Sequence, residues 1–252
     1  MTRVAVNGLT GRMGGAVVET AADRDVEVVV GFATSDVERA HGVPVVHPDE
    51  AADALREYDA EVVVDFAAPE GALTVADACA ETGVAMVVGT TGFDEDGLDH
   101  LAAVSAEVPL LKASNFSQGI QVLQRLVGEA VRALDDYDLE LMESHHNGKV
   151  DAPSGTANSI LATIQEERDV DPVYGREGHA PRDEDEIGVF ARRAGDIRGE
   201  HELILAGNDE VLSLSHRAED RGVFAAGALD AATWLVGRDP GQYEFGEVVD
   251  AS

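Results

Sequence analysis

A chain of 252 residues, 44% of them hydrophobic, has the material for one large packed domain or two modest ones. It carries 49 acidic against 18 basic residues, a formal net charge of −31, and that field repels nucleic acid and anionic membranes. The single cysteine, Cys79, excludes a disulfide framework and a cysteine-built metal centre, and no apolar run reaches the roughly 18 residues of a membrane span.

MTRVAV opens on a strand pattern without a signal-peptide plan, so a soluble, cytoplasmic protein is expected. Val4, Ala5 and Val6 predict a short buried strand that runs straight into GLTGRMGG, residues 8–15, followed by the helical spacing of Ala16, Val17 and Ala21. Strand, glycine turn and helix form the setting of a dinucleotide fingerprint. Gly8 would allow the tight turn, Gly11 would let backbone approach a pyrophosphate, and Gly14 would let the helix pack close to the sheet. The Gly-x-x-Gly-x-x-Gly spacing is a variant of the commoner motif, and alone it leaves a cofactor site and a plain turn both open.

A second strand, Val26 to Gly31, leads to Thr34, Ser35 and Asp36, where an NAD site usually places an acidic residue on the ribose. A third, Val62 to Phe66, precedes a helix that runs to about Thr82. A fourth, Val84 to Val88, ends in Gly89-Thr90-Thr91-Gly92, with Asp94 placed to start the next helix, and Pro109 to Leu111 gives a fifth. Strands alternating with helices at this spacing predict a doubly wound parallel sheet.

Beyond residue 117 the pattern changes to a helix (Val122, Leu123, Leu126, Val127, Ala130) and an alternating strand, Tyr137 to Met142. Then comes ESHHNGKVDAPSGT, Glu143 to Thr156, the stretch densest in chemistry. Of the 18 basic residues only Lys112 and Lys149 are lysines, and an ammonium is a compact point charge with a readily shifted pKa. Read as a loop ending in a helix start, the stretch brings imidazoles, an ammonium and unbonded amides together, a pocket for a carboxylate or phosphate. A solvated polar loop with a helix cap is the bland alternative. Residues 168–186 read as a charged loop, followed by strands at Gly188 to Arg193, Glu200 to Ala206 and Glu210 to His216 in an open, mixed sheet, and a last helix from Val223 to Val236. Cys79, among Ala76, Ala78 and Ala80, reads as a buried apolar group.

The stretch at 143–157 resembles the signature of the 4-hydroxy-tetrahydrodipicolinate reductase (dihydrodipicolinate reductase) family, E-x-H-H-x-x-K-x-D-A-P-S-G-T-A, at Glu143, His145, His146, Lys149, Asp151 to Ser154, Gly155, Thr156 and Ala157. Gly11-Arg12-Met13-Gly14, the Gly89 to Gly92 turn, Lys112 to Ser117, Arg176 to His179 and Arg193 to His201 are similar to further family segments. The resemblance implies a Rossmann-type domain from residues 1–116 with 223–252, and a substrate-binding and oligomerisation domain from 117–222. It implies reduction of a small dicarboxylate, 4-hydroxy-tetrahydrodipicolinate, by NADPH or NADH in a homotetramer, with no metal, nucleic acid or membrane. His145 and Lys149 would be catalytic; His146, Lys149, Ser154, Gly155 and Thr156 would bind substrate. Gly8, Leu9, Thr10, Gly11, Arg12, Met13, Ser35, Gly89, Thr90, Thr91, Ala113, Ser114, Asn115 and Phe116 would line the cofactor. Ser35 and Asp36 stand where the family often carries Glu-Arg. Thr34 and Ser35 hydroxyls with Arg12 or Arg39 nearby could accept a 2′-phosphate, while Asp36 argues for the unphosphorylated ribose. Scarce lysine and dense carboxylates further suggest life in concentrated salt, where the screening length falls to about 3 Å at 1 M.

Overall fold

The computed structural model describes residues 1–251. In chain order the elements are β1 (Thr2–Asn7), α1 (Arg12–Ala21), β2 (Val26–Phe32), β3 (Arg39–Ala40), β4 (Val43–Val46), α2 (Ala51–Glu57), β5 (Val62–Asp65), α3 (Pro69–Thr82), β6 (Ala85–Val88), α4 (Glu95–Ser105), β7 (Pro109–Lys112) and α5 (Gln118–Ala133). They continue with β8 (Asp138–His145), α6 (Gly155–Glu167), β9 (Asp171–Tyr174), β10 (Glu186–Arg193), β11 (Glu200–Gly207), β12 (Glu210–Arg217), α7 (Gly222–Leu235), β13 (Gly241–Tyr243) and α8 (Phe245–Asp250). The chain forms two compact units: Met1–Ser117 with Arg221–Ser252, and Gln118–Asp220.

In the first unit eight strands lie in the order β13-β7-β6-β5-β1-β2-β4-β3, parallel throughout except for the β3–β4 pair. From β1 the chain adds strands to one side through β2 and β4, then crosses to the other side for β5, β6 and β7. The strand order therefore reverses between β1 and β5, and the carboxyl ends of the strands there form the crevice in which such sheets bind ligands. Helices cover both faces, so β5 (VVVD) and β6 (AMVV) are buried along their whole length and read as continuous apolar runs. Side-chain alternation still sorts the two faces. Val4, Val6, Val62, Val64 and Val87 pack towards Val17 of α1 and Leu229 and Leu235 of α7, while Ala5, Val63, Met86 and Val88 pack towards Leu55, Val75 and Leu101 of α2, α3 and α4. The C-terminal segment thus completes the first sheet.

In the second unit the order is β12-β11-β8-β10-β9, with β8, β10 and β9 parallel and β11 antiparallel to both neighbours. One face carries Leu139 and Leu141 of β8, Ile187 and Val189 of β10 and Leu203 and Leu205 of β11 against α5 and α6. Residues on the opposite face, Met142, Phe190 and Ile204, are half-buried and Val211 is 65% exposed, so the sheet presents an open apolar side.

Several boundaries differ from the sequence reading. β8 runs three residues beyond Met142, so Glu143, Ser144 and His145 belong to the strand; pairing on both sides, Arg193↔His145 and Glu200↔Ser144, extends it through residues whose polarity suggested a loop. The 168–186 segment contains β9, and the strands β3, β4 and β13 and the helices α2 and α8 were missed. All are short, and short elements carry too few repeats to show a period.

Asp65 is fully buried at the end of β5, where its Oδ1 accepts from Asn7 Nδ2 at 2.8 Å and from the Ala67 amide at 3.3 Å. Burial outweighs these hydrogen bonds and lifts its pKa from 3.8 to about 6. The fold therefore favours the protonated acid, and stability that is full below pH 4 is lost as pH rises through 6. Asp65→Asn removes the buried charge and keeps an acceptor for Asn7. At pH 8 the variant should be more stable in chemical unfolding by on the order of 1–2 kcal/mol, less than the full ~3 kcal/mol of linkage because the new amide brings donors that need partners. The gain should vanish below pH 4, and a variant less stable than wild type at pH 8 would contradict the assignment.

Candidate active site

On β8 the alternation that buries Leu139 and Leu141 continues, on the same face, to Glu143 and His145. The register sets Arg193 of β10 beside His145 and His201 of β11 beside Glu143. Where the apolar face of the second sheet ends, four polar side chains meet. Glu143 is 1% exposed, and its carboxylate takes four bonds from three groups. His145 Nδ1 lies 2.7 Å from Oε2, Arg193 donates through Nη1 to Oε2 at 2.8 Å and through Nη2 to Oε1 at 2.7 Å, and the Ser154 amide donates to Oε1 at 3.1 Å. Two-point pairing of a guanidinium with a carboxylate is among the strongest and most directional ion pairs available.

Arg193 also fixes the loop that follows β8, donating from Nε to the Lys149 carbonyl at 3.2 Å and from Nη2 to the Asp151 carbonyl. Within that loop Lys149 Nζ lies 2.9 Å from Asp151 Oδ1. Ser154 then starts α6: its Oγ accepts from the Ala157 amide at 3.2 Å, an ordinary N-cap, and lies 3.2 Å from His201 Nε2. Gly155 opens the helix with no atom near its missing Cβ, and the positive end of the helix dipole lies at Gly155 and Thr156.

Charge states follow from this packing. Burial works against the Glu143 charge, but the hydrogen bonds from Arg193 and His145 overcome it and hold the carboxyl below its ordinary range. Burial also lowers His145 below 6.5, helped by the Lys149 and Arg193 charges and opposed by Glu143. At neutral pH the imidazole is therefore uncharged, and because an ionised carboxylate only accepts, its proton sits on Nδ1 and leaves Nε2 bare. His201 is pushed by burial to about 4; its ring meets the His145 ring edge-on at 5.4 Å, and its Nδ1 has no hydrogen-bond partner. The site gathers Lys149, Arg193 and a helix start, with the two cations paired to Asp151 and Glu143, around two neutral imidazoles.

The first unit carries a different arrangement at the carboxyl end of its sheet. Gly8 has φ +80°, and a Cβ there would lie 2.6 Å from the Phe66 carbonyl oxygen; one on Gly14 would lie 2.5 Å from the Gly8 oxygen. Both positions require glycine. Gly11 caps α1 without any side-chain hydrogen bond, so no side chain competes for the first-turn amides that a pyrophosphate would use. A cavity of ≈ 620 Å³ opens beside this turn, lined by Asn7, Gly8, Thr10 and Gly11, by Phe32 to Thr34, His47 to Asp49, Phe66 to Ala68, and by Glu70, Gly71 and Thr74. These residues fit a dinucleotide. Arg12 and Arg39 are not among those lining it, whereas Asp49 and Glu70 are, and Arg39 bonds to the Gly42 carbonyl. The structure thus gives no support to a 2′-phosphate cradle built on those arginines.

The expected cofactor residues fall at the carboxyl ends of β1, β2, β6 and β7. Gly8 to Met13 form the turn and helix start, and Ser35 reaches back to it with Oγ 3.4 Å from Thr10 Oγ1. Gly89 lies against the Phe66 ring, where a side chain would collide, and Thr90 Oγ1 donates to the Ala67 carbonyl at 3.1 Å. Thr91 and Ser114 are exposed, Ala113 and Asn115 half-buried. The side chains of Leu9 and Phe116 lie in the core, so only their backbone faces outward. His145, His146, Lys149, Ser154, Gly155 and Thr156 fall within the second unit, on β8, the loop and the start of α6. Sequence reasoning missed Arg193, His201 and the central place of Glu143. The first two stood in a noted segment, but only strand register shows that it lies on either side of β8. Among the described residues no group of three or more His, Cys, Asp and Glu could hold a metal ion, and no helix is long and apolar enough to cross a membrane.

Comparison with known proteins is consistent along the whole chain. Residues 2–116 match the family model described as dihydrodipicolinate reductase, N-terminus, and residues 119–249 the model described as dihydrodipicolinate reductase, C-terminus. A 4-hydroxy-tetrahydrodipicolinate reductase of Haloarcula marismortui is 80% identical over 100% of both chains. One of Natronomonas pharaonis is 52% identical over 98% of this chain and 99% of its own. Among solved structures, a dipicolinate-bound dihydrodipicolinate reductase from Paenisporosarcina sp. TG-14 superposes with TM-score 0.79 at 23% identity, covering 97% of each chain, which shows a shared fold.

Proposed function

The chain belongs to the dihydrodipicolinate reductase family, and on that premise we propose how its residues divide the work. It is an NAD(P)H-dependent oxidoreductase that reduces 4-hydroxy-tetrahydrodipicolinate to tetrahydrodipicolinate, in the diaminopimelate route to lysine. The first unit binds the dinucleotide through the Gly8 to Gly14 turn and its cavity, and the second unit binds the dicarboxylate. When bound, the reduced nicotinamide supplies a hydride to the conjugated imine that forms after or with loss of water. Hydride addition leaves an enamine-like carbon that needs a proton, and His145 Nε2 supplies it. The single observation that carries this reading is the junction of Glu143, His145, Arg193 and Ser154 at the start of α6.

Lys149 pairs with one substrate carboxylate and serves as a second proton donor, while His146 and the Gly155 and Thr156 amides hold carboxylates. An arriving dianion changes the balance at His145. Its charge offsets the Lys149 and Arg193 fields that disfavour imidazolium, so the ring gains its proton as substrate binds. Two further readings concern the assembly and its solvent. The open face of the second sheet, with Met142, Phe190, Ile204 and Val211, suits self-association into a homotetramer. The charge of −31 suits a cytoplasm of concentrated salt.

Loss of nicotinamide absorbance on mixing enzyme, reduced cofactor and a fresh condensate of pyruvate with aspartate semialdehyde tests the activity. No loss beside an active control would sink it. In the same assay His145→Gln should lower kcat by about 10² to 10⁴ fold with a smaller change in KM. Lys149→Ala should weaken substrate binding and slow turnover together, because one group acts in ground and transition states. Cofactor affinity should be unchanged in both variants, and near-normal turnover by His145→Gln would remove His145 from the mechanism. Light scattering and thermal melting from dilute buffer to molar potassium chloride test the assembly and the salt requirement. A tetramer whose melting temperature rises steeply with salt is expected; a monomer contradicts the first proposal and a salt-independent melt the second.

A further inference from the structure

The geometry points to Glu143 as the positioning residue of the reaction: we propose that its buried carboxylate fixes the tautomer and direction of His145 and, through Arg193 and Ser154, holds the Lys149 loop and the α6 start in register with that imidazole. The proposal rests on the assignment of His145 as proton donor. Its support is the set of contacts that converge on one side chain. Nδ1 of His145 is 2.7 Å from Glu143 Oε2, so the ring cannot flip without losing its only carboxylate partner. Arg193 spans both oxygens and continues to the carbonyls of Lys149 and Asp151 on either side of the turn. Ser154, whose amide bonds Oε1, sets the first residue of α6. The donor, the ammonium and the anion-binding amides therefore share one anchor.

The carboxylate also makes the proton transfer electrically feasible. His145 is faced by Glu143 on its own strand, Arg193 on β10, His201 on β11 and, on the loop, Lys149 with its partner Asp151; burial and the two cations disfavour imidazolium, and Glu143 favours it. In the step itself the Nδ1 proton stays on Nδ1, hydrogen-bonded to an ionised Glu143, while Nε2 gives its proton to the substrate carbon and is left bare. Glu143 remains a carboxylate throughout.

Glu143→Gln keeps the shape and removes the charge. Imidazolium then loses the carboxylate bonded to it, so the limb of kcat against pH that requires protonated His145 should move to lower pH by about one unit. At pH 8 kcat should fall by about 10- to 10³-fold, cofactor affinity should hold, and Glu143→Asp, which keeps the charge, should recover part of the loss. A Gln variant with the wild-type pH profile would overturn the proposal. Because the Gln variant leaves Arg193 without its buried counter-charge and could fail to fold, a second measurement uses the unaltered protein. Nitrogen-15 NMR of the His145 ring at pH 8 should show the Nδ1–H tautomer, and a dominant Nε2–H tautomer would equally overturn it. Wild-type turnover is recorded first, so a functional assignment that fails is distinguished from a positioning role that fails.

Discussion

A carboxylate with almost no contact with water survives as an ion only if the protein replaces every hydration bond it gave up. Glu143 does so with a guanidinium, an amide and an imidazole. An isolated buried charge costs several kcal/mol, and taking away one partner of such a pair leaves the other stranded. The cluster is therefore committed: Arg193 needs Glu143 as much as Glu143 needs Arg193. That mutual need makes the loop rigid where the chemistry requires it, since the backbone at Lys149 and Asp151 is held by the same guanidinium.

The two units solve their binding problems with different physics. The first relies on backbone shape, because glycines at 8 and 14 allow strand, turn and helix to approach within distances that no Cβ tolerates. The second relies on charge, gathering Lys149, Arg193 and a helix start in a protein with few lysines. On a chain of net charge −31 a patch whose cations match its carboxylates is a local exception, and the contrast would favour a dianion there once salt screens the surrounding carboxylates.

Much of this was legible in the sequence for stateable reasons. The doubly wound sheet showed because parallel strands covered on both faces leave continuous apolar runs such as VVVD and AMVV. The Asp94 start of α4 showed because a side-chain oxygen three residues before an amide is a local signal, and Asp94 Oδ1 does accept from Gly97 N at 2.9 Å. His145 was read as a loop residue because polar side chains at a strand end look like a turn until their cross-strand partners are known. Arg193 and His201, 48 and 56 positions along from His145, meet it only through the parallel and antiparallel pairings of β8 with β10 and β11, a fact of topology that no local window contains. The position of Arg39 was hidden for a similar reason: β3 and β4 were unseen, and they bring Arg39 to the Gly42 carbonyl.

The central claim is that His145 is neutral in the empty site and becomes the proton donor when a dianion arrives. Calorimetry of dipicolinate binding at pH 7.5, in buffers of different ionisation enthalpy, tests it most directly. The account predicts net uptake of a fraction of a proton up to one per site, lost in His145→Gln. Binding with no proton exchange in wild type, or with the same uptake in the variant, would contradict it.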